Sequence, residues 1–426
     1  MNQVTAILIG AGARGQIYAR YAQEHPEELR IMAVAEPKAD RRALMCRAYG
    51  IPADRAFSNW EDLLARPQMA DAALICTLDD MHTEPTLAAL KQGYHVLLEK
   101  PMSNSETECR AIAAAAEEAQ RVLSVCHVLR YTPFYRTIKQ LIDDGQVGEV
   151  ASLSQVENVG YWHHAHSFVR GNWRNSQETS PMILQKSCHD MDILTWLLGK
   201  KCKAVSSFGS TRLFKPECAP EGAALRCLDG CKAKEKCLFD AEKIYITSPK
   251  TGLATGSSWM SSVLSVENTM ESTYKALREG PYGRCVYHCD NDVVDHQQTN
   301  LLMEDGSTIS FTMCAFTESC YRYFKAMGTQ GEIEADMLSN IIHVREFGKE
   351  EETIDVGKLS SDLKGHGGGD SGIIQDFLEM LLNDAEPNER TTTLEHSMES
   401  HFIALAAEES RLHGGQVVDL EAFKQR

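Results

Sequence analysis

The sequence is short of basic charge. Its 43 Lys and Arg face 60 Asp and Glu, for a formal charge of −17. A nucleic-acid or anionic-membrane partner needs a basic footprint, so neither is expected. No apolar run approaches the roughly 18 residues that span a bilayer. The opening residues, Met1-Asn2-Gln3-Val4, carry no basic segment, and the apolar run behind them stops at glycines. A secretion signal is therefore not expected. What is left is a globular chain, 43% hydrophobic and 24% charged. At 426 residues it is too long for one ordinary core, and two domains are expected.

Cysteine, by contrast, is plentiful, with fourteen in the chain. Most lie singly in apolar segments, such as Cys76 and Cys126, where a thiol behaves as a small buried hydrophobe. A large domain without a secretion signal needs no disulfide framework, which points to a reducing, cytoplasmic location. Four cysteines differ. Cys218, Cys227, Cys231 and Cys237, spaced C-x8-C-x3-C-x5-C, fall in a Pro/Gly/Lys-rich stretch at about 214–240 with little apolar content. A loop of that size without its own core is uncommon, and four thiolates around a metal would supply the stabilisation. Structural zinc is the first expectation, an iron–sulfur cluster the alternative, and unligated thiols the reading in which no metal binds.

From the N-terminus, Val4–Ile9 reads as a strand, followed by Gly10-Ala11-Gly12-Ala13-Arg14-Gly15 and a helix. In this strand, G-x-G-x-x-G, helix order the glycines permit a tight turn, a close approach to a pyrophosphate and close helix packing. The anion then sits on the helix N-terminus. The next strand, Arg30–Ala35, ends in Glu36, where an acid is expected at the adenosine ribose; it would favour NAD over NADP. Arg41 and Arg42 either soften that preference or are solvated helix charges. Helices and strands go on alternating: Asn59–Ala65, Ala72–Thr77, Thr83–Lys91, then His95–Leu98, Glu106–Gln120 and Val122–Val128. Such alternation specifies an α/β, doubly wound parallel sheet over residues 1–128. Thr77 and His82 fall at its cofactor edge, His82 either contacting the nicotinamide half or holding a local partner in its own helix.

The strand His95–Leu98 runs into Glu99-Lys100-Pro101, and proline stops it. Ligands of open parallel sheets bind beyond the carboxyl ends of the strands, which is where Lys100 stands.

These residues, with Arg130-Tyr131-Thr132-Pro133 and His189-Asp190-Met191-Asp192-Ile193-Leu194, resemble the glucose–fructose oxidoreductase, inositol dehydrogenase and rhizopine-catabolism family (Gfo/Idh/MocA) over nearly the whole chain. The resemblance implies a second α+β domain over 129–426 with a large, open, mostly antiparallel mixed sheet. It implies an NAD site at Gly10, Gly12, Ala13, Arg14, Gly15, Glu36, Thr77, His82, Glu99, Lys100 and Pro101, with a cis bond before Pro101. It places Lys100 and His189 across a sugar or cyclitol substrate, oxidised by hydride transfer, with Arg130 and Tyr131 beside it. Where family members often carry aspartate, four residues before the histidine, this chain has Gln185, followed by Lys186. Glutamine neither takes nor gives a proton, so proton transfer falls to His189, Lys100 or Lys186.

In the second domain, 161–174 is rich in histidine, aromatics and arginine. His164, Arg170 and Trp173 are expected to bind a polyol or glycoside ahead of a metal, since ring faces stack on sugars. His366, in the glycine-rich Gly365–Asp370, either approaches the substrate or belongs to a helix-entry loop. Asn300–Met303 and Thr308–Met313 read as a hairpin turned at Asp305-Gly306, and Leu394–His413 as a helix packing back on the first domain. An exposed sheet face suggests a homodimer or homotetramer.

Three functions compete. The leading one is an NAD-dependent oxidoreductase on a sugar, sugar derivative or cyclitol. The second is a glycoside hydrolase or lyase working through transient oxidation and elimination. The third is a sugar-sensing regulator without catalysis, against which the presence of both Lys100 and His189 argues.

Overall fold

The computed structural model describes residues 3–257, 259–360, 364–383, 385 and 387–426, so Met1 and Asn2 of the opening segment lie outside the described residues. Six short apolar strands form the first sheet: β1 Val4–Ile9, β2 Leu29–Ala35, β3 Ala56–Phe57, β4 Ala72–Ile75, β5 His95–Leu98 and β6 Leu123–Val125. All pairs are parallel, in the order β3-β2-β1-β4-β5-β6. Strand order reverses at β1 and β4, and the crevice beyond their carboxyl ends is where such sheets bind ligands. Both faces are covered by helices, which is why the strands are apolar throughout: β4 is buried at every position.

The second sheet has nine strands: β7 Val150–Asn158, β8 Cys202–Ser210, β9 His296–Met303, β10 Thr308–Cys314, β11 Tyr321–Gly328, β12 Gly331–Asp336, β13 Ile341–Glu346, β14 Glu352–Asp355 and β15 Val418–Asp419. Their order is β14-β13-β12-β11-β7-β10-β9-β8-β15. Every pair is antiparallel except β7 with β10. The β9–β10 hairpin turns through Glu304–Ser307, with Asp305 accepting from the Ser307 amide and Gly306 at φ +88°. Here burial alternates along most of the strands, as in β12 (Gly331, Ile333 and Ala335 inward), because only one face meets the core. The outer face carries charged ladders such as Lys325–Glu332 and Arg345–Glu334.

Two C-terminal helices tie the sheets together. Gly369–Asn383 returns to the first domain, with Ile373, Ile374, Phe377 and Leu378 in its core. Leu394–Leu412 instead buries Phe402, Ile403 and Ala407 mainly in the core of the second sheet. It also packs back on the first domain, through Leu394, Met398 and His401, which accepts from the Met102 amide. The expected helix-period pattern is present in both; the partner of each face is a tertiary matter that periodicity does not carry.

Candidate functional site: a dinucleotide turn facing a lysine–histidine crevice

Two of the three glycines of the first turn are required sterically. At Gly10, φ is +89° and a Cβ would stand 2.4 Å from the Cys76 carbonyl oxygen; at Gly15 it would stand 2.1 Å from the Gly10 oxygen. At Gly12 it would meet only Arg41 Nη1, at 3.9 Å. The middle glycine therefore borders open space, directly ahead of the helix Ala13–Glu24 and its unsatisfied amides. Glu36 is buried at the end of β2, accepting from the Ala11 amide (2.8 Å) and the Lys38 amide (2.9 Å). This cradle fits a dinucleotide: a small-residue gap, a helix N-terminus and a fixed carboxylate. Ala13 is exposed at the first helical position and Thr77 half-buried beyond β4.

Arg14 is turned inward from the same turn. Its guanidinium lies between Glu99 (2.7 Å) and Asp370 (2.7 Å), with His366 Nδ1 at 3.3 Å. Burial pushes the Glu99 carboxyl up, but Arg14, Lys100 and the Tyr18 hydroxyl outweigh it and hold the acid below its ordinary value. Asp370, which the sequence reading missed, behaves in the same way against Arg14 and His366.

Lys100 follows Glu99, and the Lys100–Pro101 peptide is cis. Its amine donates to the Gln185 carbonyl at 2.7 Å, so Gln185 contributes its backbone here. His189 faces this point from the helix Cys188–Leu198, 6% exposed, its Nδ1 without a hydrogen-bond partner. Burial, with Lys100, His127, His366 and Arg322 around it, holds this imidazole well below its ordinary range. The ring of His366 lies 6.1 Å away, centre to centre. Trp173 closes another side, donating to Asp79 at 3.0 Å. Asp79, also missed, is buried; burial pushes its carboxyl up despite His82 and Lys100.

What holds His189 in place is its own helix, pinned at two acids. Asp190 takes a forked contact from Arg322 (2.7 and 3.0 Å) and a bond from Gln155 (2.6 Å), both on the sheet. Asp192 takes the fork of Arg130 (2.8 and 2.6 Å).

Several expectations are corrected by these contacts. Arg130 is fully buried on Asp192, and Tyr131 is buried on Asp376 at 2.9 Å, so neither reaches a substrate. His82 is 1% exposed, with Nδ1 2.6 Å from the Pro101 carbonyl; it braces the loop rather than facing the cofactor crevice. Lys186 pairs with Glu157 at 3.2 Å. Burial opposes its charge, but Cys320 and Glu157 prevail and the amine stays above its ordinary value, which unsuits it to accept a proton. His164 stacks between Phe168 and Phe214, and Arg170 is buried toward the cysteines, because 161–170 coils inward as a helix ending in a π-helical turn. Cys218 donates to the Arg212 carbonyl at 3.5 Å instead of joining Cys227, Cys231 and Cys237 at the small cavity they share. Cys285 lines that cavity with them.

Burial also lowers four imidazoles to values between about 3 and 4: His127 and His164 to about 4, His166 and His401 to about 3. His401 is fixed as the Nδ1–H tautomer, donating to the Ser397 carbonyl and accepting from the Met102 amide at 2.7 Å. Folded values below the unfolded one of about 6.5 mean that the unfolded chain takes up protons first as pH falls. Stability is then complete well above pH 6.5 and lost progressively down to about pH 4 for His127 and His164 and about pH 3 for His166 and His401. Each such histidine contributes about 1.4 kcal/mol of loss one unit below 6.5. Thermal midpoints at pH 7.5 and 5.5 test this; equal midpoints would refute neutral burial.

A Rossmann sheet whose glycine turn, buried acid and strand-end lysine meet one crevice defines an NAD-binding oxidoreductase. Two family models match in tandem: "Oxidoreductase family, NAD-binding Rossmann fold" over residues 4–127 and "Oxidoreductase family, C-terminal alpha/beta domain" over 139–420. The chain belongs to this Gfo/Idh/MocA family. It is 25% identical over 330 residues to an oxidoreductase of Bacillus subtilis (strain 168), YteT, covering 74% of both chains. It is 29% identical over 199 residues to the inositol 2-dehydrogenase of Klebsiella pneumoniae (strain 342), covering 46% of this chain and about half, 55%, of that enzyme. Its fold is similar (TM-score 0.70, 16% identity, 98% and 99% covered) to an oxidoreductase from Agrobacterium radiobacter solved with NAD+, L-tartaric acid and magnesium.

Proposed function

We propose that the protein oxidises a hydroxyl of a sugar, sugar derivative or cyclitol, with Lys100 and His189 at the reacting carbon. The observation that carries this is the buried, unpartnered Nδ1 of a neutral His189 beside Lys100. A neutral imidazole takes the carbinol hydroxyl proton as the carbon loses hydride. The Lys100 ammonium, anchored on the Gln185 carbonyl, has further protons to steady the developing carbonyl oxygen. NAD, held by Gly10–Gly15 and Glu36, supplies hydride acceptance when bound. Trp173, through Asp79, and His366, beside His189, supply polar and aromatic groups near these two residues, and the polyols named for the inositol dehydrogenase relatives support that class.

A panel of cyclitols, sugars and glycosides with NAD tests the proposal: NADH should accumulate with a member of the first two groups. Aglycone release without net NADH would instead favour the elimination reaction. For the cofactor, Glu36→Ala should raise the Kd for NAD by about tenfold, the order expected for a lost charged hydrogen bond, and leave that for NADP little changed. Equal losses would overturn the ribose assignment.

Two further assignments belong to this reading. The outer face of β11–β13 supports pairing with a second copy, giving a homodimer or homotetramer. Fourteen free thiols support a reducing, cytoplasmic location. Among the described residues no helix is long and apolar enough to cross a membrane.

A further inference from the structure

Between β8 and β9 the chain leaves the sheet at Ser210 and returns at His296, and the excursion carries a small core of its own around Phe214, Phe239, Tyr245 and Val286. An antiparallel bridge, Arg226 with Arg284, sets two distant segments side by side: the Cys227 amide donates to Gly283 O and the Cys285 amide to Leu225 O, both at 2.9 Å. Gly283 is required there, since a Cβ would stand 1.7 Å from the Leu277 oxygen. Cys227 and Cys285 thereby flank one cavity, and the turns through Lys232–Cys237 bring Cys231 and Cys237 to its other walls.

A buried charge marks the same cavity. Arg170 is 1% exposed and lines it. Its Nε donates to Arg284 O (2.7 Å) and one Nη2 proton to Phe239 O (2.6 Å), while Nη2 also lies 3.6 Å from Cys227 Sγ. Nη1 is buried with no hydrogen-bond partner, and the bonds this guanidinium makes go to backbone carbonyls and a thiol. Asp240 lines the cavity too; its Oδ1 accepts from the Lys243 amide, while its Oδ2 is buried with no hydrogen-bond partner. Guanidinium does not deprotonate in proteins, and an uncompensated buried cation is costly. Besides Asp240, the groups at this cavity best able to carry negative charge are the thiols that line it.

We propose that Cys227, Cys231, Cys237 and Cys285 bind a thiophilic metal centre as four thiolates, with Arg170 as its buried counter-cation. Four thiolates on a divalent ion leave a net charge of −2, which Arg170 partly neutralises. The centre stands apart from the Lys100–His189 crevice and is structural: it closes an excursion whose apolar core is small, by linking two segments nearly fifty residues apart in sequence. Among the described residues no three of the sulfurs lie within 4.8 Å of one another. A single zinc, with Zn–S bonds of about 2.3 Å, draws its sulfurs to about 3.8 Å apart. A [4Fe–4S] cluster binds each thiolate to a different iron and keeps them wider. The ligand chemistry is shared, and metal identity follows from analysis.

The test uses the full-length protein, purified without added chelator, with metal and acid-labile sulfide measured per chain. Near one zinc with no visible absorption, or about four iron with sulfide and a broad visible band, supports the centre and names it. No near-stoichiometric metal in the wild-type protein overturns it. Cys285→Ser should lose most of the metal and Cys218→Ser should retain it; the reverse pattern overturns the ligand set. Because Cys285→Ser risks misfolding, the wild-type protein is also titrated with a thiol reagent before and after metal release. Four additional thiols should become reactive on release, and an unchanged number refutes thiolate ligation.

Discussion

Replacing Lys100 with methionine should lower turnover by about 10²–10³-fold, the range expected for loss of one donor aimed at the developing oxygen charge, while NAD still binds. The reason lies in what the side chain touches. The amine reaches the Gln185 carbonyl from the end of β5. Methionine keeps the stem's volume and removes the charge beside His189. Cofactor contacts at Gly10–Gly15 and Glu36 come from other strand ends and are untouched. Single-turnover NADH formation and NAD titration separate the two effects. Turnover within twofold of wild type would remove Lys100 from the reaction. Loss of NAD binding would instead make it a cofactor residue.

The second large effect concerns stability. Arg130→Met should destabilise the protein by about 3–5 kcal/mol, because it strands Asp192 as a buried charge. The pair is forked, 2.6–2.8 Å long, and 1% exposed on each side. Combining it with Asp192→Leu should recover most of the loss, since an apolar pair of similar volume replaces a buried ion pair at little cost. Thermal midpoints of the single and double variants measure this. A raised KM with an unchanged midpoint would return Arg130 to the substrate, where the family resemblance put it.

That contrast shows what the sequence makes legible. The parallel sheet, the Asp305–Gly306 hairpin and the glycine turn depend on local periodicity and on residues close together in the chain, and each is readable. Arg130 is not, because its fate is decided by Asp192, 62 residues away. The same holds for Arg170: an arginine among histidines and aromatics reads as a sugar clamp until an inward-coiling helix buries it. Cys285 escapes a spacing argument altogether, since only the Arg226–Arg284 bridge makes it a neighbour of Cys227. The glutamine side chain at 185 has no acid–base capacity, which the sequence states; that its backbone carbonyl anchors Lys100 is a contact no residue type announces. Burial alternation along β7 could have flagged Glu157, an acid at an inward position.

The departure and return points of the long excursion are themselves a cross-strand pair, Ser210 opposite His296. To the sheet, that whole stretch is one hairpin loop. Its length can grow or shrink without moving β8 against β9 by a single register step, and the entropy of closing it rises only with the logarithm of its length. The scaffold thus tolerates a metal-clasped appendage as a graft. Arg41, whose Nη2 lies 3.4 Å from the Val263 carbonyl, shows how far the graft reaches. A unit suspended from the second sheet thus touches the helix Ala39–Tyr49, whose Arg41 also lies beside Gly12 of the glycine turn.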